Sequence, residues 1–220
     1  MNELFRWDWA FDHLDAIALQ TREHLWLTLL AVLFGFLISF PLGIYASRHR
    51  WFYGPVASLT GILYTIPSLA LFAFLTPITG LSAITAEIGL VGYTLLILIR
   101  NVVTGLDGVS PDAREAALGM GYSERQLLWK VELPLAVPVI VAGIRIATVT
   151  TVGLVTVTAL VGQGGLGYFI LLGLERTFST AILIGAVLSV VLAIIADRLL
   201  IMAERRLTPW AQATQRRLSA

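Results

Sequence analysis

Predominantly apolar runs of about 20 residues are what a bilayer-spanning helix requires and what a water-soluble chain rarely carries. Five occur in this sequence, at residues 25–47, 54–76, 84–103, 134–161 and 181–203. The third is the shortest and holds Glu87 near its start. Hydrophobic residues make up 57% of the chain and charged residues 13%, against about 25% charged in an ordinary soluble domain. The charges also sit in short patches between the apolar runs. Spans must pack against one another, so one all-α membrane domain of about five transmembrane helices is expected over residues 25–203. Residues 1–24 mix Phe5, Trp7, Trp9, Phe11, Leu14 and Ile17 with Asp8, Asp12 and Asp15. They read as an N-terminal interfacial or extracytoplasmic segment that cannot span, and residues 204–220 read as a tail.

Lysine and arginine concentrate on the cytoplasmic side of membrane proteins. With the N-terminus outside, the inner segments hold Arg48, Arg50, Arg100, Arg114, Arg125, Lys130, Arg198, Arg205, Arg206, Arg216 and Arg217, and the outer ones only Arg6, Arg22 and Arg176. The expected orientation is therefore N-terminus outside and C-terminus cytoplasmic. Met1-Asn2-Glu3 does not open a signal peptide, so the first apolar run is expected to direct insertion and stay.

Several function classes find no support. A net charge of +1 gives no basic field for nucleic acid. The absence of cysteine excludes disulfides, thiol catalysis and Cys-ligated zinc. Lys130 is the only lysine and no glycine precedes it, so there is no phosphate-binding loop. His13, His24 and His49 form no His-Glu-x-x-His, and no serine lies between glycines two positions away on each side. No catalytic, cofactor-binding or metal-binding residue is expected.

The loop at about 104–133 is the informative one. Ser110-Pro111-Asp112 reads as an N-cap, a first-turn proline and an early acid, a strong helix start. Gly119 and Gly121 are expected to break that helix, Ser123-Glu124 to restart it, and Pro134 to end the second piece before the fourth span. Within the loop, Glu115-Ala116-Ala117 is followed after three residues by Gly121, and after nine more by Val131-Glu132-Leu133-Pro134. This resembles the cytoplasmic signature of binding-protein-dependent ABC importer permeases, the MetI-like fold. Every spacing matches, with Val131 where isoleucine is usual.

The resemblance continues in Pro41-Leu42-Gly43-Ile44, Gly143-Ile144-Arg145-Ile146-Ala147 and the glycine-rich 162–167 stretch. In Thr65-Ile66-Pro67-Ser68-Leu69-Ala70-Leu71, Arg100-Asn101 and Trp129 to Ala136 it is similar more narrowly to permeases for glycine betaine, carnitine and choline. The resemblance implies that Glu115, Ala116, Ala117, Gly121, Val131, Leu133 and Pro134 form a loop that docks on an ABC ATPase subunit. It also implies ATP and Mg used by that partner, a second permease subunit (the same chain or a paralogue) and a separate extracytoplasmic solute-binding protein. The setting is the lipid of a bacterial or archaeal plasma membrane. A same-fold permease for amino acids or another zwitterion, and an ATP-independent channel or scaffold, remain as alternatives.

Pathway or gate candidates are Pro67, Ser68, Arg145, Gly164 and Gly165. Arg145 lies eleven residues after Pro134, about 16 Å of helix. At that depth it either faces a partner or snorkels to the interface. Pro41, Pro67 and Pro138 can each kink a helix. Gly162-Gln163-Gly164-Gly165-Leu166-Gly167 formally satisfies a dinucleotide fingerprint, but that motif needs a preceding strand; a turn at the outer mouth is expected instead.

Overall fold

The computed structural model describes residues 6–209. Phe5, Arg216, Arg217 and the expected tail from residue 210 lie outside them. Among the described residues every regular element is helical. A short α1 (Trp7–Asp12) precedes α2 (Leu14–Arg48), α3 (Arg50–Thr65), α4 (Ser68–Thr79) and α5 (Ala83–Asp107). Then come α6 (Pro111–Gly119), α7 (Glu124–Leu127), a π-turn (Leu128–Glu132), α8 (Leu133–Val155), a 3-10 stretch (Thr156–Val161), α9 (Gly167–Glu175) and α10 (Ser179–Leu207).

Among the described residues, four helical stretches are long and apolar enough to cross a membrane: α2, α5, the continuous run Glu124–Val161 and α10. A fifth exists if α3 and α4 count as one span, and these two meet at 96°. The second apolar run is thus a broken helix. Pro67 has no N–H to donate and drives Ile66 into the extended region (φ −65°, ψ 127°). The Tyr93 hydroxyl donates a short hydrogen bond to the carbonyl of Ile66, so the corner is buttressed by α5. Pro41 and Pro138, in contrast, stay inside continuous α2 and α8.

The first run also begins earlier than expected. The helix starts at Leu14, so much of the 1–24 segment is the first three or so turns of α2. The residues before it are tied down: the Arg6 N–H donates to Thr180 Oγ1 at 2.8 Å, and Trp9 packs edge-on against Phe169 and Phe178.

α5 is the hub of the bundle, packed by α2, α3, α4 and α8. Small residues let the helices meet closely, the usual device where lipid supplies no hydrophobic drive for association. The buried stripe of α2 holds Ala31, Gly35, Ser39, Gly43 and Ala46. A Cβ on Gly35 would come within 1.9 Å of Thr94 Oγ1, and one on Gly43 within 2.6 Å of Val102 Cγ1. Gly143 of α8 sits against Asn101 of α5 in the same way, at 2.4 Å. Larger residues there would overpack the bundle, at about 1–3 kcal/mol each. Outside, Leu59, Ile62, Phe74, Ile78, Val190 and Ile194 are all more than half exposed. Water would penalise such a surface; lipid and neighbouring subunits do not.

Two expected helix boundaries are corrected at the 104–133 loop. Gly119 is the last helical residue of α6 and breaks nothing; the reversal is made by Gly121, at φ +86°. Pro134 ends no helix. The run continues through it because the π-turn closes with the Leu133 N–H on the Leu128 carbonyl. That wider closure accommodates a ring which an α-helical turn would push into the carbonyl four residues back.

Candidate functional site

α6 forms where the sequence signals it. Ser110 Oγ accepts the Ala113 N–H at 3.2 Å, Pro111 occupies the first turn, and Asp112 meets the positive end of the helix dipole. The helix closes with a Schellman arrangement: the Tyr122 N–H reaches the Ala117 carbonyl at 3.1 Å and the Gly121 N–H the Leu118 carbonyl at 2.9 Å. This needs a left-handed residue at position 121. No heavy atom lies within 4 Å of a Cβ placed there, so backbone angle and not crowding demands glycine. α7 restarts with a capping box between Ser123 and Gln126.

The seven loop residues divide by environment. Glu115 and Ala116 are exposed on α6, beside exposed Leu118 and Met120, while Ala117 alone of that helix is buried. Gly121 sets the reversal. Val131 is half-buried, Leu133 joins a core with Val102, Leu106, Ala136 and Ile140, and Pro134 stands in the first turn of α8. α6 packs on the π-turn, so the loop is one unit with an exposed helix at its tip.

The charge that anchors this unit is Glu132, which sequence reasoning left as the free position between Val131 and Leu133. It is 1% exposed. Its carboxylate pairs with Arg114 Nε of α6 at 2.9 Å and makes a closer pair with Arg48, the last residue of α2. Arg114 also donates to the Leu106 carbonyl at 2.7 Å. Nearby, Arg50 meets Asp107 at 3.0 Å.

Arg145 has partners and does not snorkel. Its Nε lies 2.9 Å from Asp197 Oδ1 and its Nη1 3.3 Å from Glu204 Oε2, both on α10. It lines a cavity of about 490 Å³ with Ala142, Ile146, Val149, Thr150 and Asp197.

At the opposite end of α8, Gly162 and Gly165 take φ of +75° and +89°. Their stretch follows a 3-10 turn, and with no strand among the described residues the dinucleotide reading fails. The turn is fixed to α2. His24, fully buried, accepts the Leu166 N–H on Nδ1 at 3.2 Å, which leaves Nε2 to donate to the Val152 carbonyl at 3.0 Å. A Cβ on Gly164 would fall 1.5 Å from Glu23 Oε2. Gly164 lines a cavity of about 480 Å³ with Arg22, Glu23, Trp26 and Gln163, among others. Pro67 and Ser68, at the α3–α4 corner, line neither cavity, so the pathway candidates are not gathered in one place. His24 gave no motif signal, since both its partners lie more than a hundred residues away in sequence.

A helical membrane bundle with an exposed, rigidly capped helix at one end is the architecture of a transporter's membrane subunit. Residues 24–209 match the family described as binding-protein-dependent transport system inner membrane component, and this chain belongs to that family. It is a multi-pass plasma-membrane protein and the permease component of an ABC importer, a class that works with an ATPase and a solute-binding protein. The choline transport system permease protein OpuBB of Bacillus subtilis (strain 168) is 38% identical over 200 residues, covering 91% of this chain and 92% of the relative. The glycine betaine/carnitine/choline transport system permease protein OpuCB of the same organism is 38% identical over 190 residues, covering 86% and 88%. Among solved structures, an inward-facing form of the MetNI methionine ABC transporter matches with a TM-score of 0.77 and 26% identity, over 87% of this chain and 96% of that one.

Proposed function

We propose that this permease carries a small quaternary-ammonium osmoprotectant, of the glycine betaine, carnitine or choline type, into the cell. The printed substrates of its 38%-identical relatives support the solute class. The observation that carries the mechanism is the isolated α6, with Glu115 and Ala116 exposed at its tip. In this reading α6 lies on the cytoplasmic side, as the arginine distribution favours, and seats in an ATPase subunit. Two such subunits, a second permease copy or paralogue and an extracytoplasmic binding protein complete the transporter. ATP and Mg are used by the ATPase; this chain catalyses nothing and binds no cofactor. Glu115 offers an anionic contact, the small Ala116 permits close approach, and Gly121 holds the helix at its docking angle. Closure of the ATPase pair moves α6, and the spans alternate the side to which they open.

The test is ATP-dependent uptake of labelled glycine betaine in vesicles holding this chain with its co-purifying permease, ATPase and binding protein. Uptake suppressed by excess choline or carnitine supports the assignment. Glu115→Lys or Gly121→Asp is expected to abolish uptake while membrane insertion survives; unchanged uptake in either sinks the docking role. Suppression by methionine or another amino acid instead would favour a same-fold amino-acid permease, consistent with the likeness to MetNI. A chain that purifies without an ATPase would point to a channel or scaffold.

A further inference from the structure

We infer that Glu132 is the positioning residue that makes α6 move as one body with the spans; this rests on the reading of α6 as the element the ATPase drives. One buried carboxylate joins three elements: Arg114 on α6, Arg48 at the end of α2, and α8, which begins at the next residue. Through the hydrogen bond that Arg114 Nη2 donates to the Leu106 carbonyl, α5 is included as well. α6 has little else to hold it, since only Ala117 of that helix is buried. An apolar contact of one alanine resists sliding poorly, whereas a carboxylate fixed by two guanidinium groups has a defined place in three directions.

The charge balance makes this joint dependent on ionised Glu132. Two arginines share it, and among the described residues the only other acid paired with either is Glu124, 3.9 Å from Arg48 with its side chain 79% exposed. Without the Glu132 charge, two arginines about one third exposed are left facing one another, and each loses its buried partner. A glutamine does not repair this, because its amide nitrogen presents donors to donors. Aspartate keeps the charge and gives up one methylene. Glu132 is buried against this chain's own Arg48 and Arg114, so in this reading its removal leaves the ATPase intact and disconnects it from the spans.

The experiment uses the reconstituted complex of both permease subunits, ATPase and binding protein, with wild type, Glu132→Gln, Glu132→Asp and Arg114→Met compared. The two readouts are betaine imported per ATP hydrolysed, and the distance distribution between nitroxides at Asp112→Cys on α6 and Val149→Cys on α8. This chain has no native cysteine, so label attached before reconstitution goes only to the introduced sites. In Glu132→Gln, ATP hydrolysis is expected to persist, uptake per ATP to fall about tenfold or more, and the α6–α8 distribution to broaden. Glu132→Asp should restore most of both. Arg114→Met, which cuts only the α6 side, should match Glu132→Gln and serves if that variant does not insert. A wild-type ratio and a narrow distribution in Glu132→Gln and Arg114→Met overturn the inference. So does equal loss in Glu132→Asp, which would indicate shape and not charge. A wild-type complex that imports no betaine refutes the solute assignment alone, since the nitroxide readout needs no solute.

Discussion

The imidazole of His24 accepts the backbone N–H of Leu166 at 3.2 Å, although 142 residues separate them. With its other nitrogen on the Val152 carbonyl, this one side chain joins α2, α8 and the 162–167 turn. Both backbone groups lie where water does not reach. Replacing His24 with phenylalanine fills the space and leaves an N–H and a carbonyl unpaired, at about 1–3 kcal/mol for each group. The expected outcome is a lower thermal midpoint in detergent, with faster hydrogen exchange at Leu166 than at α5 amides. An unchanged Leu166 exchange rate would sink the assignment.

Two glycines, Gly153 inside α8 and Gly167 at the start of α9, should respond oppositely to alanine. A Cβ on Gly167 would lie 2.0 Å from the Thr156 carbonyl oxygen, and backbone cannot step aside as a flexible side chain can. Gly153 has nothing within 4 Å of that position. Gly167→Ala is expected to destabilise by about 1–3 kcal/mol or more. Gly153→Ala, inside α8, should be neutral or stabilise by up to about 1 kcal/mol. Thermal midpoints of the two purified variants, measured side by side, check the contrast; a loss at Gly153 as large as at Gly167 would refute it.

Arg145 is about as exposed as Asp197, at 28% and 32% of their side chains. The pair is therefore only partly enclosed by this chain, and a fully buried pair would be a stronger link. A double-mutant cycle with Arg145→Met and Asp197→Asn should give a coupling of about 0.5–3 kcal/mol, because Arg145 links α8 to two acids of α10. A coupling of zero would make the pair ornamental and return Arg145 to the list of pathway residues.

What could be read from sequence follows from the range of each signal. Span composition and the Glu115–Pro134 spacing are local patterns, so the apolar elements and the capped loop were visible. Pro67 was legible only as one of three prolines able to kink a helix, since nothing local distinguishes it from Pro41 and Pro138, which stay inside continuous helices. Arg145 left two readings open, because Asp197 and Glu204 lie 52 and 59 residues away and nothing local points to them. Glu132 was hidden for a related reason. A glutamate beside Leu133 looks like a surface residue at the foot of a span, and only packing reveals that two arginines from elsewhere enclose it. The early start of α2 was concealed by its aspartate and arginine residues, which are compatible with a helix but not with a membrane run.

The π-turn at Leu128–Glu132 carries a consequence of phase. An α-helix advances about 100° per residue, and each wider closure takes up a residue that α-helical counting does not allow for. A wheel drawn straight through from Ser123 to Val155 therefore assigns the wrong compass bearing to everything on one side of Glu132. Deleting a single residue within the turn would let the helix run true and leave α7 and α6 near their present bearing, because the turn absorbs that residue; deleting one outside it would swing them about a hundred degrees around the axis of α8. The bearing of this loop is thus written in the length of the chain, and evolution can retune it by one codon at a time.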